Sequence, residues 1–197
     1  RGPMERPVSV PTNTGDGLKM AMRIGASLGN MREAWWIATM DVDQEGWGQV
    51  PWMINGERSR PHRIMVNSLG KRFTNEAANY NALGAAFHVI DVVSYEYANH
   101  PAWMIFDDYF WNTYGLAGHT AAGELPGGVV SASRLAELAE RINVPADALE
   151  ETVRQWNSTA VQGVVLRRPA MTLRFDGDRL RAGVAAADAA MGASATR

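Results

Sequence analysis

The sequence has 197 residues, 46% hydrophobic and 20% charged, enough apolar content for one packed domain and too much for intrinsic disorder or a collagen-like repeat. Nineteen Lys+Arg against 21 Asp+Glu leave a net charge of −2, so no basic surplus exists to bind a phosphate backbone, and no nucleic-acid partner is expected. Cysteine is absent, which excludes disulfides, thiol nucleophiles, Cys-ligated zinc and iron–sulfur clusters, fits a reducing compartment such as the cytoplasm, and accompanies the lack of any apolar run of about 18–20 residues that would span a membrane.

In chain order, Thr14-Gly15-Asp16-Gly17 opens a predicted helix over 14–30. Leu18, Ala21, Met22, Gly25 and Leu28 share one face, with Asp16 as N-cap and Gly29 as the stop. Glu33 to Trp36 follow, and 41–61 reads as loop, with Gly46, Gly48, Pro51, Gly56 and Pro61. Arg63–Asn67 reads as a strand, Ser68–Lys71 as a turn and Arg72-Phe73 as a returning strand. A helix is predicted over 82–93 and a strand over 102–106, ending at Asp107-Asp108. The five glycines of 115–128 mark a loop. Ser131 or Ser133 caps a helix whose face is Leu135, Leu138, Ala139 and Ile142. Pro145 opens a second, striped by Leu149, Val153, Trp156 and Ala160, which makes a helical hairpin. From Val164 to Arg197 the composition shifts to nine Ala and six Arg. The chain divides into residues 1–163 and an atypical tail, 164–197, expected to be frame-shifted or disordered.

Few segments carry chemistry on their own. The glycines of Thr14–Gly17 let a ligand approach the backbone, and a helix N-terminus favours electron-rich groups; the same residues also make a plain helix start. The dinucleotide fingerprint GxGxxG is absent from the sequence. Gly70–Glu76 makes a well-formed hairpin, with Asn75 as a cap. Glu76 and Tyr80, four apart, share a face if a helix begins there, and a tyrosine so held is able to act as acid or base. Taken alone, such a tyrosine is far more often a half-buried packing residue. Trp35-Trp36 either lines a flat apolar pocket or fills a core. The four histidines lack metal-binding spacing, so no metal site is expected. Asp107-Asp108 reads as a turn cap before it reads as a cation site, and no GxSxG elbow is present.

Taken in order, Thr14-Gly15-Asp16-Gly17 with its helix, Arg63–Asn67, Gly70-Lys71-Arg72-Phe73-Thr74-Asn75-Glu76, Trp103–Asp107, and Leu135–Ala139 with the helix reaching Trp156-Asn157 resemble the flavoproteins of the fumarate reductase and 3-ketosteroid dehydrogenase group. The resemblance covers about residues 12–163. It implies an α+β fold, the capping (substrate) domain of a two-domain FAD flavoprotein, with a small sheet and packed helices. It implies FAD as cofactor, contacted by Thr14, Gly15, Asp16 and Gly17. The FAD-binding domain would be supplied in cis or in trans.

In this family the position four after the Asn-Glu motif is catalytic, an Arg in fumarate reductases and a Tyr in ketosteroid dehydrogenases; here it is Tyr80. Where fumarate reductases place a substrate-binding His, this sequence has Glu33-Ala34-Trp35-Trp36. A dicarboxylate needs cationic partners, whereas Trp and Tyr suit a flat apolar ring ketone such as a steroid. The implied reaction is dehydrogenation next to a ketone, with Tyr80 as base, hydride transfer to the flavin N5, and Trp35, Trp36, Asn75 and Glu76 around the substrate or behind it. A fumarate-reductase-like enzyme is the alternative within the group. Outside it stand a non-catalytic module for apolar ligands and a gene remnant. The segment alone is expected to be inactive.

Overall fold

The structure, a computed structural model, describes residues 7–31, 33–44, 46–161 and 180–185. A four-stranded antiparallel sheet forms its centre, in the order β3 (Arg63–Asn67), β4 (Ala102–Asp107), β6 (Leu180–Ala185), β5 (Val129–Ala132). β3 and β4 are apolar almost throughout, because both faces of the sheet are covered; every residue of β3 is buried. On one face Met65, Met104 and Phe106 join Met40, Val42, Ile54, Leu83, Phe87 and Phe110. On the other, Ile64, Val66 and Ile105 meet Leu138, Ile142, Leu149 and Val153. The alternation of Cβ directions along a strand separates the two cores.

The second core is roofed by the predicted helical hairpin, α4 (Leu135–Arg141) and α5 (Ala146–Val161). Asn143 takes the left-handed conformation that ends α4 (φ 54°), and the Val144 and Asn143 N–H groups close on Ala139 and Glu140. Arg134, not a serine, occupies the N-cap; Ser133 instead donates to Glu137 through both N–H and hydroxyl. The expected cap is thus displaced by one position.

On the first face the structure corrects the loop expected over 41–61. Thr39–Gln44 (β1) and Gly48–Met53 (β2) form an antiparallel hairpin. Gly46 and Gly48 sit at φ 79° and 67° in its turn. Pro51 and the Asp residues hid it, yet Pro51 is tolerated in a hairpin of only two strands. Two helices complete this face, α2 (Tyr80–Phe87) and α3 (Asp108–Tyr114). Asp107 caps α3 by accepting the Phe110 N–H at 2.9 Å and also holds His62 Nδ1 at 2.8 Å. It is a cap rather than a cation ligand, and the described residues contain no cluster suited to a metal.

Two helices are shorter than predicted. α1 runs only Asp16–Arg23, since Gly25, not Gly29, takes the left-handed stop (φ 82°), with Ala26 N–H on Ala21 O and Gly25 N–H on Met22 O. α2 ends at Phe87, short of the expected 93. Part of the atypical tail, Leu180–Ala185, is β6, lying between β4 and β5. A boundary after 163 therefore leaves one strand of the sheet on the tail side. The rest of 164–197 lies outside the described residues. No described helix is long and apolar enough to cross a membrane.

Gly70 shows how tightly the edge of β3 meets α5. Its φ is +70°, and a Cβ there would stand 2.9 Å from the Leu149 nitrogen and 3.0 Å from Val144 Cγ1. Gly70→Ala combines a left-handed strain with backbone overlap and is expected to lose about 3 kcal/mol. Gly46→Ala, at φ +79° with open space around it, is expected to lose only about 1 kcal/mol. Denaturant unfolding of the two variants checks the difference.

Candidate functional site

β3 is the edge strand of its sheet, and an unpaired buried edge is unfavourable. The segment after the Gly70 turn covers it. The Asn67 N–H donates to Lys71 O at 3.0 Å, Val66 bridges Arg72, and the Met65 N–H donates to Glu76 Oε1 at 2.9 Å. Glu76 is only 2% exposed. Arg72 binds its carboxylate from Nε and, at 2.7 Å, from Nη2, while Arg63 Nη1 stands 3.7 Å away. Arg72 also lies over the Trp156 ring, 4.4 Å from its centre. Thr152 donates to Gly70 O at 2.7 Å. The hairpin after β3 is thereby tied to α5.

A third arginine enters from the short 3-10 turn Glu57–Ser59. Arg58, 5% exposed, donates from Nη1 to the Glu76 and Ala78 carbonyls at 2.5 and 2.6 Å. Its Nε and Nη2 donate to Asn55 Oδ1 at 3.2 and 3.1 Å. Burial lowers the Arg58 pKa. Burial also lowers that of Arg63, to about 10, the nearby Glu76 carboxylate opposing the fall and the Arg58 and Arg72 charges adding to it.

Glu76 therefore does not sit on a helix with Tyr80, as the four-residue spacing suggested. Asn75 opens a turn, accepting Ala77 N–H on its side chain and Ala78 N–H on its carbonyl. Asn79 then caps α2 through the Ala82 N–H at 2.9 Å. Tyr80 is the first residue of α2, 38% exposed, and its hydroxyl forms no hydrogen bond among the described residues. The next residue, Asn81, accepts the Trp36 backbone N–H at 2.8 Å. The tryptophan pair is thus fastened to the first turn of α2, and its two members differ. Trp36 is core, 3% exposed and edge-on to His88 at 4.7 Å; Trp35 is 50% exposed. Asn75, Glu76, Tyr80 and Trp35-Trp36 are brought into one region.

Thr14–Gly17 stands apart, with no hydrogen bond or ion pair to that region among the described residues. Gly15, at φ +77°, is the N-cap of α1 in place of the expected Asp16. Asp16 is the first helical residue, accepts the Thr14 hydroxyl at 2.6 Å and lies 3.7 Å from Lys19 Nζ. A Cβ at Gly15 or Gly17 would meet nothing within 4 Å. The first bond of the helix is Lys19 N–H to Gly15 O, so the N–H groups of Asp16, Gly17 and Leu18 are open to a ligand. No residue of α1 is buried, and Leu18, Met20 and Met22 are exposed. Open donors, one carboxylate acceptor and clearance for close approach fit a hydroxyl- and amide-rich cofactor edge.

Sequence reading overlooked Arg58, Arg63 and Asn55. The signal available was the charged run Glu57-Arg58-Ser59-Arg60 directly before a strand that must be buried. Since two arginines, Arg72 and Arg63, face one carboxylate and a third, Arg58, is buried nearby, the two charge types respond differently to removal. Glu76→Gln leaves buried cations short of a counter-ion and is expected to lose about 3 kcal/mol, whereas Arg63→Met keeps the Arg72 pair and is expected within about 1 kcal/mol of wild type. Arg63 releases its proton near pH 10 when folded and only at a higher, ordinary arginine value when unfolded. The unfolded chain binds the extra proton between those values, so wild-type stability should rise relative to Arg63→Met as pH climbs through 10. Unfolding measured at pH 8 and pH 11 checks the sign.

The FAD binding domain family matches residues 2–185. The chain is 41% identical over 157 residues to the 4-oxocyclohexanecarboxylate 2-dehydrogenase of Sinomonas cyclohexanicum, covering 79% of this chain and 27% of that protein. It is 36% identical over 167 residues to the 3-oxosteroid 1-dehydrogenase of Mycobacterium tuberculosis, covering 80% and 28%. The chain thus spans just over a quarter of the length of these relatives. Among solved structures it matches the 3-ketosteroid delta1-dehydrogenase of Sterolibacterium denitrificans with a TM-score of 0.72 at 25% identity, over 96% of this chain and 36% of that one. A flavocytochrome c3 fumarate reductase shares the fold, with a TM-score of 0.64 at 20% identity over 91% and 30%. The chain belongs to the FAD-binding domain family, among flavoprotein oxidoreductases that use FAD.

Proposed function

We propose that the chain is the capping, substrate-facing part of an FAD-dependent dehydrogenase that introduces a double bond next to a ring ketone, with Tyr80 as proton acceptor. The observation that carries this reading is the placement of Tyr80: a half-open phenol with an uncommitted hydroxyl, fixed as the first residue of a capped helix whose next residue, Asn81, holds the Trp36 backbone. The names of two relatives supply the chemistry. One dehydrogenates at carbon 2 of a 4-oxo ring, the other at carbon 1 of a 3-oxo ring. In both, the numbered carbon is two bonds from the carbonyl carbon.

The ketone acidifies the intervening carbon. Tyr80, acting as its phenolate, takes that proton on Oη, the C–H pair becomes the new π bond, and hydride leaves the far carbon. FAD, when bound, accepts that hydride and so carries the two electrons of the oxidation. Thr14, Gly15, Asp16 and Gly17 would hold it, the glycines by close approach and Asp16 by accepting from a hydroxyl or ring N–H. Trp35 offers an apolar face to a flat, steroid-like ring system. Asn75 and Glu76 act behind Tyr80 by shaping its turn. The remainder of the FAD-binding domain comes from the same polypeptide or from a second one, and the cap comprises the sheet, β6 included, with its covering helices.

In the FAD-loaded protein that carries this segment, Tyr80→Phe is expected to lower kcat by about 10²- to 10⁴-fold, with KM changed by less than about fivefold. Steady-state kinetics on a ring ketone decide it; undiminished turnover would remove Tyr80 from the reaction.

A further inference from the structure

Resting on that reading, we infer that Arg58 is the positioning residue of Tyr80. Arg58 is a buried cation placed on neutral groups. All its hydrogen bonds among the described residues run to the Glu76 and Ala78 carbonyls and to the Asn55 side chain. No carboxylate of the described residues pairs with it, and burial lowers its pKa. Enclosing a guanidinium without a counter-ion is unfavourable. What the fold gains is geometry. One guanidinium nitrogen, Nη1, holds two carbonyls of the turn that leads into α2, while the Nε and Nη2 edge is anchored on Asn55 and so fixes the plane of the group. Ala78 O, held at 2.6 Å, is two residues before Tyr80. The other end of the turn is set by the Glu76 carboxylate on β3. Asn79 and Asn81 fix the helix start from the far side, through Ala82 and Trp36. Tyr80 thus leaves a backbone held at every step, and Arg58 is the one holder whose charge no partner balances. A phenol that must meet a C–H bond within an ångström requires such a frame. Lysine would keep the charge but lacks the second edge that Asn55 anchors.

The test uses the FAD-loaded protein with 4-oxocyclohexanecarboxylate and 4-androstene-3,17-dione as probes, each also deuterated next to the ketone. In Arg58→Lys, kcat should fall by about 10- to 100-fold with KM within about threefold, and the deuterium effect on kcat should grow, because proton removal becomes slower relative to other steps. Loss of folded enzyme would lower kcat without changing the isotope effect. Asn55→Ser, which releases the other anchor of the same guanidinium at a half-buried position, should shift both quantities the same way and stands in if Arg58→Lys does not fold. A readout free of turnover is the ¹⁹F resonance of Tyr80 in fluorotyrosine-labelled protein, assigned by its disappearance in Tyr80→Phe; it should move in both variants. A folded variant with an unchanged isotope effect and an unmoved Tyr80 resonance overturns the inference. Tyr80→Phe with full turnover overturns the role of Tyr80 instead, and the resonance then still decides whether Arg58 sets its position.

Discussion

The geometry of this chain turns on one buried carboxylate. Glu76 lies at the outer edge of a sheet whose two faces are both covered, where a strand N–H would otherwise have no partner. A carboxylate supplies strong acceptors, but its charge must be compensated once water is gone. Arg72 compensates it directly and at the same time stacks on Trp156 of α5. A single side chain thus connects the edge of the sheet, the turn that follows and the helical hairpin behind them. The excess of cations around it is tolerated because Arg58 spends its donors on carbonyls and Arg63 is held in a site where burial already weakens its hold on the proton. The turn ending at Ala78 is consequently as well fixed as a strand, although its sequence reads as loop.

The other candidate region has the opposite character. α1 is held by its own bonds, by a left-handed glycine at each end and by a Thr14–Asp16 contact, and it buries nothing. An eight-residue helix has little stability of its own, and its apolar residues, Leu18, Met20 and Met22 among them, face outward. The open glycines and the bare apolar side chains belong to one short element. Whatever covers the latter adjoins the former, which is why a cofactor edge and a protein surface are to be sought together there.

Legibility in the sequence followed the range of the interactions. β3 and β4 were readable because each is a short apolar run bounded by turn residues, and both lie where expected, β4 ending one residue later. The α4–α5 hairpin was readable from its stripes and from Pro145. The β1–β2 hairpin was not, because its strands carry Asp41, Asp43 and Pro51 and are defined by pairing with each other rather than by pattern. The helix ends slipped because Gly25 and Gly29 are equivalent in sequence, and only the bonds from Gly25 and Ala26 choose between them. At the site, Tyr80 and Trp35-Trp36 were legible as residues of interest, while their neighbourhood was not. The Asn81 bond to Trp36 spans 45 positions and the Arg58 bonds to Glu76 and Ala78 span about twenty. Spacing alone placed Glu76 and Tyr80 on one helix; the Asn75 turn separates them.

The identity of the side chain at position 80 bears on substrate charge. A guanidinium there would present a fixed positive charge to an anionic substrate. A neutral phenol presents none. The buried cations nearby do not replace that charge for a ligand, because Arg58 and Arg63 are enclosed and Arg72 is engaged by Glu76 and Trp156. Their field is spent on holding the turn. Trp35 is exposed, and under the proposed reading its ring would favour a neutral, flat substrate. A ring ketone that also carries a carboxylate would need its anion met by residues beyond those described around Tyr80, whereas a polycyclic ketone needs only more apolar surface of the kind Trp35 already offers.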